Sequence, residues 1–555
     1  MYADDMAIWA TEEYTGTAQA RLQLALEALR MWTEKWLMKI NPEKTTFTTF
    51  TLSTKSQTVH LKIGEHQLLE EPSPTYLGVT FDKRLTWKAE TDKCQERGIL
   101  RTGLLRRLAG TQWGADMKVL KTVYTGYVRP VLEYGSSAWN TTAKSNQQKL
   151  EKVQNQSLRI ITGGLKSTPI LKMETITRLQ SLEERRETKI LTQRQKYKAM
   201  PNCVLNRRLK DTNKGRLKRN SFCKYSRILE SKNEELTGLD SLETVLHYSS
   251  VPPYEMHTLP KIVKEIENIG AKAQLSKHEI MGLTNKHPDR KYPTREWMRI
   301  YTDGSATDAV RNGGGGVYAT LPDGTTLERS FACGRRCTNY KAETEAIKEA
   351  LNMVNNKISK TSKVVILSDA RSVLQTLENT KDTELDTVRK KLLDLMARVG
   401  ELTLQGIPGH SNIEGNERAD NLAKLGSGLD QEETTITYQE AKTMIRMAAG
   451  EKWKKSHEDF NEKDDFYKLC RKEQTSLFRL RTGHNKLAKH MFKTFRIGES
   501  DMCKCGHSAE TTEHILQECL LYKEVREKIW EPTAELSTEL FGPLIELDKT
   551  INSWN

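Results

Sequence analysis

No stretch of this 555-residue chain is apolar for anything close to the roughly 18 residues that a membrane-spanning helix needs. The first residues also lack the basic, apolar and small-residue sections of a signal peptide. Cysteine is scarce and odd in number: nine, thinly spread except near the C-terminus. That usage excludes a disulfide framework and points to a reducing intracellular setting, cytoplasmic or nuclear, with no membrane partner. Apolar residues make up only 37%, low for one compact enzyme. At about 150 residues per domain, the length suggests three or four domains.

Acidic residues are almost missing from one window. Between Arg185 and Arg227 stand 15 Lys and Arg against only Glu187 and Asp211, a net +13 beside the chain's total of +14. So concentrated a charge points to nucleic acid, with a solvated linker as the alternative. Tyr197, Phe222 and Tyr225 lie among these cations, placed either for base stacking or for packing. The surrounding residues 166–292 carry loop-forming Pro, Asn and Asp and no catalytic constellation, so they read as a basic connector.

The chain opens on "MYADDMAIWA", in which Asp4 and Asp5 sit between apolar residues. Two short strands with carboxylates at the connecting turn would offer oxygen ligands to Mg²⁺. A helical spacing follows through Leu22, Leu24, Leu26, Leu29, Trp32 and Trp36, then an Asn-Pro turn in "INPEKTTFTTF". In this order "YADD", "INPEKT" and "YLGVTFDKRLTW" resemble palm motifs of reverse transcriptases from non-LTR (LINE-type, jockey-like) retrotransposons. "YVRPVLEYGSSAWN" and "KLEKVQNQSLRIITGG" resemble the thumb-like stretch that follows in that family. The resemblance covers about residues 1–165. It implies that the palm strand completing the two-metal site would lie before Met1. Asp4 and Asp5 are then a polymerase remnant, and DNA synthesis is expected only if the missing palm is supplied.

From Met298 the pattern is that of a mixed α/β sheet. "MRIYTDGSA", "GGGGVYATL" and "TTLERSFA" read as a three-stranded meander, and "NYKAETEAIKEALNMV" as a helix with its stripe at Ala342, Ala346, Ile347, Ala350, Leu351 and Val354. "KVVILSDA" reads as a strand buried on both faces. Two helices, the strand "ELTLQGIPGH" and the helix "IEGNERADNLAKLG" complete the block. Asp303 and Asp369 fall at strand ends, Glu343 on the first helix and Asp420 on the last. Four such carboxylates repel one another unless divalent ions hold them, and two ions can clamp the attacking water and leaving oxygen of a phosphodiester.

"YTDGSA", "TNYKAE", "LSDA" and "PGHSNIEGNERAD" closely resemble the motifs of type 1 ribonuclease H, in order, within residues 293–428. The resemblance implies that Asp303, Glu343, Asp369 and Asp420 hold two Mg²⁺ ions, with Mn²⁺ as a substitute. It makes His410 the mobile residue that moves protons or assists product release. Gly304, Ser305, Asn339 and Arg371 would then lie against an RNA/DNA hybrid. Two positions depart from the family: Tyr340 stands where a second Asn is frequent, and Arg371 where a Gln is common. Both concern the minor groove, where the 2′-hydroxyl tells RNA from DNA.

Within residues 429–555, a mostly helical C-terminal region, "SLFRLRTGHNKLAKHMFKTFRIGESDMCKCGHSAETTEHILQEC" also resembles the C-terminal region of these polyproteins. Cys503, Cys505, His514 and Cys519 form C-x-C-x₈-H-x₄-C, a soft ligand set that suits a structural Zn²⁺. His507 is a substitute ligand, and unligated thiols in a helical cap are the alternative. The whole reads as a multidomain α/β polyprotein fragment whose surviving activity is cleavage of the RNA strand in RNA/DNA hybrids. RNA, DNA and other retrotransposon-encoded proteins are the expected partners. A non-catalytic nucleic-acid binder is the competing reading.

Overall fold

The computed structural model describes residues 5–55, 58–200, 203–210, 221–233, 242, 259–266, 282, 287–354, 358, 361–379, 385–409, 412–457, 461, 463–530 and 534–554. They form two compact units: Met1–Ile190, Gly215–Ser226 and Ala449–Asn555 make one, Leu191–Lys214 and Arg227–Ala448 the other.

The second unit is built on a six-stranded sheet. In chain order its elements are β1 (Lys261–Val263), β2 (Trp297–Thr307), β3 (Arg311–Thr320), β4 (Thr326–Arg336), α1 (Asn339–Val354), β5 (Lys363–Ser368), α2 (Arg371–Glu378), α3 (Asp386–Met396), β6 (Glu401–Gly406) and α4 (Glu414–Ser427). The spatial order is β4-β3-β2-β5-β6-β1. The first three strands pair antiparallel, and β2, β5, β6 and β1 run parallel. The meander, helices and later strands anticipated from periodicity are all there. Strand β1 had no sequence signal, since three residues in a polar stretch carry too little periodicity to read.

Alternation along the central strands feeds two cores. Ile300, Val364 and Ile366 turn toward Ile347, Ala350 and Leu351 of α1 and toward Val373, Leu374, Val388 and Leu392 of α2 and α3. Tyr301, Val365 and Leu367 face the opposite side, with Ile413 and Ala419 at and in α4. Arg389, fully buried on α3, donates to the carbonyls of Leu377, Thr376 and Asn379 and pairs with Asp386. It thereby occupies the orphan acceptors at the end of α2.

The glycine run is what lets α4 sit on the sheet. A Cβ on Gly314 would stand 2.1 Å from the Ala423 carbonyl oxygen, and one on Gly316 would stand 2.1 Å from that of Ala419. No side chain fits in either gap. Gly304 serves α1 similarly, because a Cβ there would lie 2.2 Å from the Glu343 amide nitrogen.

In the other unit, helix Lys88–Leu108 packs beside Lys144–Thr162, and Tyr124, Leu132, Trp139, Leu150 and Leu158 form the buried centre. Phe466, Leu477, Phe478, Leu516, Leu540 and Leu547 complete the same core. Residues 449–555 therefore share one interior with the thumb-like stretch. Arg471, nearly buried, joins them by donating to the carbonyls of Gly110, Ile160 and Ile161, and Arg479 donates to that of Gly163. These acceptors include the unsatisfied C-terminal carbonyls of helix Lys144–Thr162. The first helix, Thr15–Lys35, packs Leu22 and Leu26 on a small cluster but leaves Leu24, Trp32 and Trp36 exposed. No helix among the described residues is long and apolar enough to cross a membrane.

Gly316→Ala should lower stability by roughly 1–3 kcal/mol or more through overpacking. Denaturant melts that leave the midpoint unchanged would show that α4 is not held at this distance.

Candidate active site and metal centres

The register places two carboxylates side by side. Thr302 pairs with Ser368, so the next residues, Asp303 and Asp369, fall at corresponding points of adjacent parallel strands. Glu343 comes from the first turns of α1, which Thr338 caps by accepting from the Lys341 amide at 3.2 Å. Asp303, Glu343 and Asp369 each offer an oxygen, and these oxygens all lie within 4.8 Å of one another. Asp420 stands outside that trio. Its carboxylate bonds Lys424 Nζ at 2.5 Å, one helical turn on, while its charge still acts on Asp303.

Burial, then the Asp369 charge, pushes the Asp303 carboxyl up to about 7, and the Gly304 amide at 2.7 Å only partly offsets this. Burial, then Asp303 and Asp369, also pushes Glu343 well above the usual carboxylate range. Glu343 Oε2 is buried with no hydrogen-bond partner among the described residues. Unmatched buried carboxyl oxygen is costly, and a hard divalent cation with oxygen ligands suits this donor set. The residues present fit such an ion.

The other expected site residues are spread around the trio. Gly304 and Ser305 continue β2, opposite Gly315 and Gly314. Asn339 begins α1 and is exposed. Arg371 begins α2 and pairs with Glu265 at 2.7 Å, both largely exposed. His410 and Asp4 lie outside the described residues, and Asp5 is exposed. Gly409 was not singled out from sequence, yet a Cβ there would meet Asp369 Oδ2 at 2.7 Å. The sequence signal was its place beside the expected His410.

A second cluster lies in the other unit. Cys503, Cys505, His514 and Cys519 also offer ligand atoms within 4.8 Å of one another. Cys503 and Cys519 sulfurs are 3.6 Å apart, and Cys505 Sγ is 3.2 Å from His514 Nε2. The far nitrogen of His514 is held by Ser508 Oγ at 2.8 Å and Glu518 at 3.3 Å, the kind of outer support that orients a ligating imidazole. The His507 amide, then the His514 imidazole, hold the Cys505 thiol down to about 6. This donor set suits a closed tetrahedral site. His507 itself is exposed and outside the cluster.

The basic window is less free than its composition suggested. Arg185 and Lys189 both bind Glu133, Arg186 binds Glu151, and Arg194 and Lys198 bind Glu230. Tyr225 donates to Glu187 at 3.1 Å. Arg207, Arg208 and Lys210 remain exposed on helix Val204–Lys210.

Residues 295–428 match the family model of RNase H. The chain is 36% identical over 166 residues to "Probable RNA-directed DNA polymerase from transposon BS" of Drosophila melanogaster, across 29% of this chain and 18% of that protein. It is 27% identical over 163 residues to the RNA-directed DNA polymerase from mobile element jockey of the same fly, with the same coverage. The chain thus spans under a fifth of the length of these relatives. Among solved structures, LC11-RNase H1 in complex with RNA/DNA hybrid is 27% identical, with 23% of this chain and 97% of that one covered and a TM-score of 0.20. The chain thus carries a ribonuclease H-type segment and, over under a third of its length, is similar to RNA-directed DNA polymerases of Drosophila mobile elements.

Proposed function

We propose that the sheet-based unit hydrolyses the RNA strand of RNA/DNA hybrids. The observation that carries this reading is the convergence of Asp303, Glu343 and Asp369 within 4.8 Å, inside the segment that matches the ribonuclease H family. Asp303 and Asp369 would anchor the divalent ions, with Glu343 and Asp420 completing the set. When bound, two ions supply an activated water and charge stabilisation at the leaving oxygen. Asp420 must then exchange Lys424 for its share of that charge. Arg371, held only by an exposed ion pair of small worth, is free to turn to the hybrid backbone. Asn339, exposed at the start of α1, would meet the minor groove. His410 would carry a proton during turnover.

With Mg²⁺, the full chain should cut the RNA strand of a hybrid and spare single-stranded RNA. Asp303→Asn and Asp369→Asn should each abolish cutting, whereas His410→Ala should slow turnover by about 10²-fold. A folded protein that leaves hybrids whole in both Mg²⁺ and Mn²⁺ would overturn the reading.

The same carboxylates set a pH dependence. The Asp303 carboxyl rises from 3.8 to about 7 on folding, so between these values the native state holds more protons than the unfolded one. Metal-free stability should therefore be complete at low pH and decline as pH rises toward 7. Mg²⁺ should restore it at pH 7.5, and Asp303→Asn should shrink the decline to what Glu343, raised mainly by burial, still contributes. Thermal melts with chelator and with Mg²⁺ read all three; identical pH profiles for wild type and variant would contradict the assignment.

For the thiol cluster we propose one structural zinc, with no place for substrate. Metal analysis of the purified chain should find about one zinc, and Cys519→Ser should release it and lower the melting temperature without slowing hybrid cleavage. Absence of zinc together with an unchanged melt in chelator would favour unligated thiols.

A further inference from the structure

The unit that holds the thumb-like stretch contains an open cavity of about 460 Å³, lined by Thr125, Arg129, Glu133, Ser136, Ser137 and Lys189 among others. The cavity is distinct from the carboxylate trio and the thiol cluster. It lies within "YTGYVRP" and "EYGSS", to which no chemistry was assigned.

Its charge is unbalanced. Glu133 is the one carboxylate in the lining, and it is already shared between Arg185, at 2.5 and 3.1 Å, and Lys189, at 2.9 Å. The Arg129 guanidinium makes no hydrogen bond or ion pair among the described residues, although the residue is half-buried beside that group. Burial and repulsion from Arg185 both disfavour its charge. A guanidinium does not relieve this by losing its proton under ordinary conditions. An anion would.

The second observation is neutral and independent of charge. Ser136 is only 2% exposed, and its hydroxyl is buried with no hydrogen-bond partner among the described residues. Buried hydroxyls are normally satisfied, so an orphan in a cavity wall asks for an acceptor or donor from outside. The backbone turns at Gly135, with φ of +62°, to bring Ser136 and Ser137 into the lining. A Cβ on Gly135 would meet Val79 Cγ2 at 2.7 Å, which fixes the turn as glycine.

We propose that this cavity binds a phosphate group, with Arg129 as the planar donor, Lys189 as a second cation and the Ser136 hydroxyl completing the cradle. Arginine's fork matches phosphate oxygens two at a time. The phosphate belongs either to a nucleic-acid backbone or to a small free phosphate. The proposal does not rest on the hydrolase reading, because the site lies in the other unit and its test needs no divalent metal.

The test uses the full chain in chelator, with Arg129→Gln and Ser136→Ala, and Lys39→Gln, an exposed lysine outside the basic window, as a surface control. One arm titrates a labelled single-stranded RNA across salt concentrations. The other follows the thermal midpoint in inorganic phosphate and pyrophosphate, against chloride at equal ionic strength. If the phosphate is a backbone phosphate, Arg129→Gln lowers the log–log salt slope by about 0.7, weakens RNA binding several-fold, and leaves the phosphate melts unchanged. If it is a free phosphate, inorganic phosphate or pyrophosphate raises the wild-type midpoint, and both cavity variants lose that rise. In each case Ser136→Ala acts in the same direction and Lys39→Gln does not. Folded cavity variants that match wild type in both arms would overturn the site. So would an Arg129→Gln effect that Lys39→Gln reproduces, since that is bulk charge.

Discussion

Two backbone approaches govern the sheet-based unit: α4 against β3 at Gly314 and Gly316, and α1 against β2 at Gly304. In each case a Cβ would come within 2.1–2.2 Å of helix backbone, closer than any side chain tolerates. The consequence is positional. With α1 this near, Glu343 reaches Asp303 across one strand, and with α4 this near Asp420 comes within range of the same aspartate. A larger residue at any of the three positions would push a helix outward and separate the carboxylates by more than an ion could bridge. The glycines lose conformational entropy on folding, and the geometry of the site is what that cost sustains.

The same closeness makes the site unfavourable when it holds only protein atoms. Burial and mutual repulsion act together on Asp303 and Glu343, and one Glu343 oxygen has no partner among the described residues. Active sites commonly carry this kind of strain, with stability supplied elsewhere. Here the compensation is visible in the two apolar cores that flank the central strands, one largely aliphatic and one mixed with Tyr292, Trp297, Tyr301 and Tyr318. Each fully buried aliphatic side chain contributes about 1.5–3 kcal/mol. The core can therefore hold carboxylates together that would otherwise separate.

Much of this was legible in the sequence, for a definable reason. Asp303 and Asp369 follow strands of unbroken apolar or alternating pattern, and Glu343 and Asp420 sit on helices with clear stripes, so local periodicity fixes where each carboxylate emerges. The reason for the "GGGG" run was not legible, because it lies in a helix about 100 residues further on. Arg389 and Arg471 read as ordinary helix charges. Both are buried caps for carbonyls in other helices. Residues 449–555 gave no sign of completing the core around Leu150 and Trp139, since that contact is made at sequence separations above 300.

Long-range pairing also changes what the chain's net charge means. The formal +14 counts every Lys and Arg alike, yet Arg389, Arg471 and Arg479 are committed to carbonyls, and five cations of the basic window to Glu133, Glu151 and Glu230. Those three glutamates lie at or beyond the edges of the window, so composition within it could not reveal them. Counterion release follows only the cations that can meet phosphates. On the described surface of this region that leaves Lys196, Arg207, Arg208, Lys210 and Lys224. Arg129, outside the window and with a guanidinium unpaired among the described residues, has more reason to bind an anion than the window's cations that are paired with glutamates. Affinity for nucleic acid is therefore set by which cations lack a glutamate rather than by how many stand in a row.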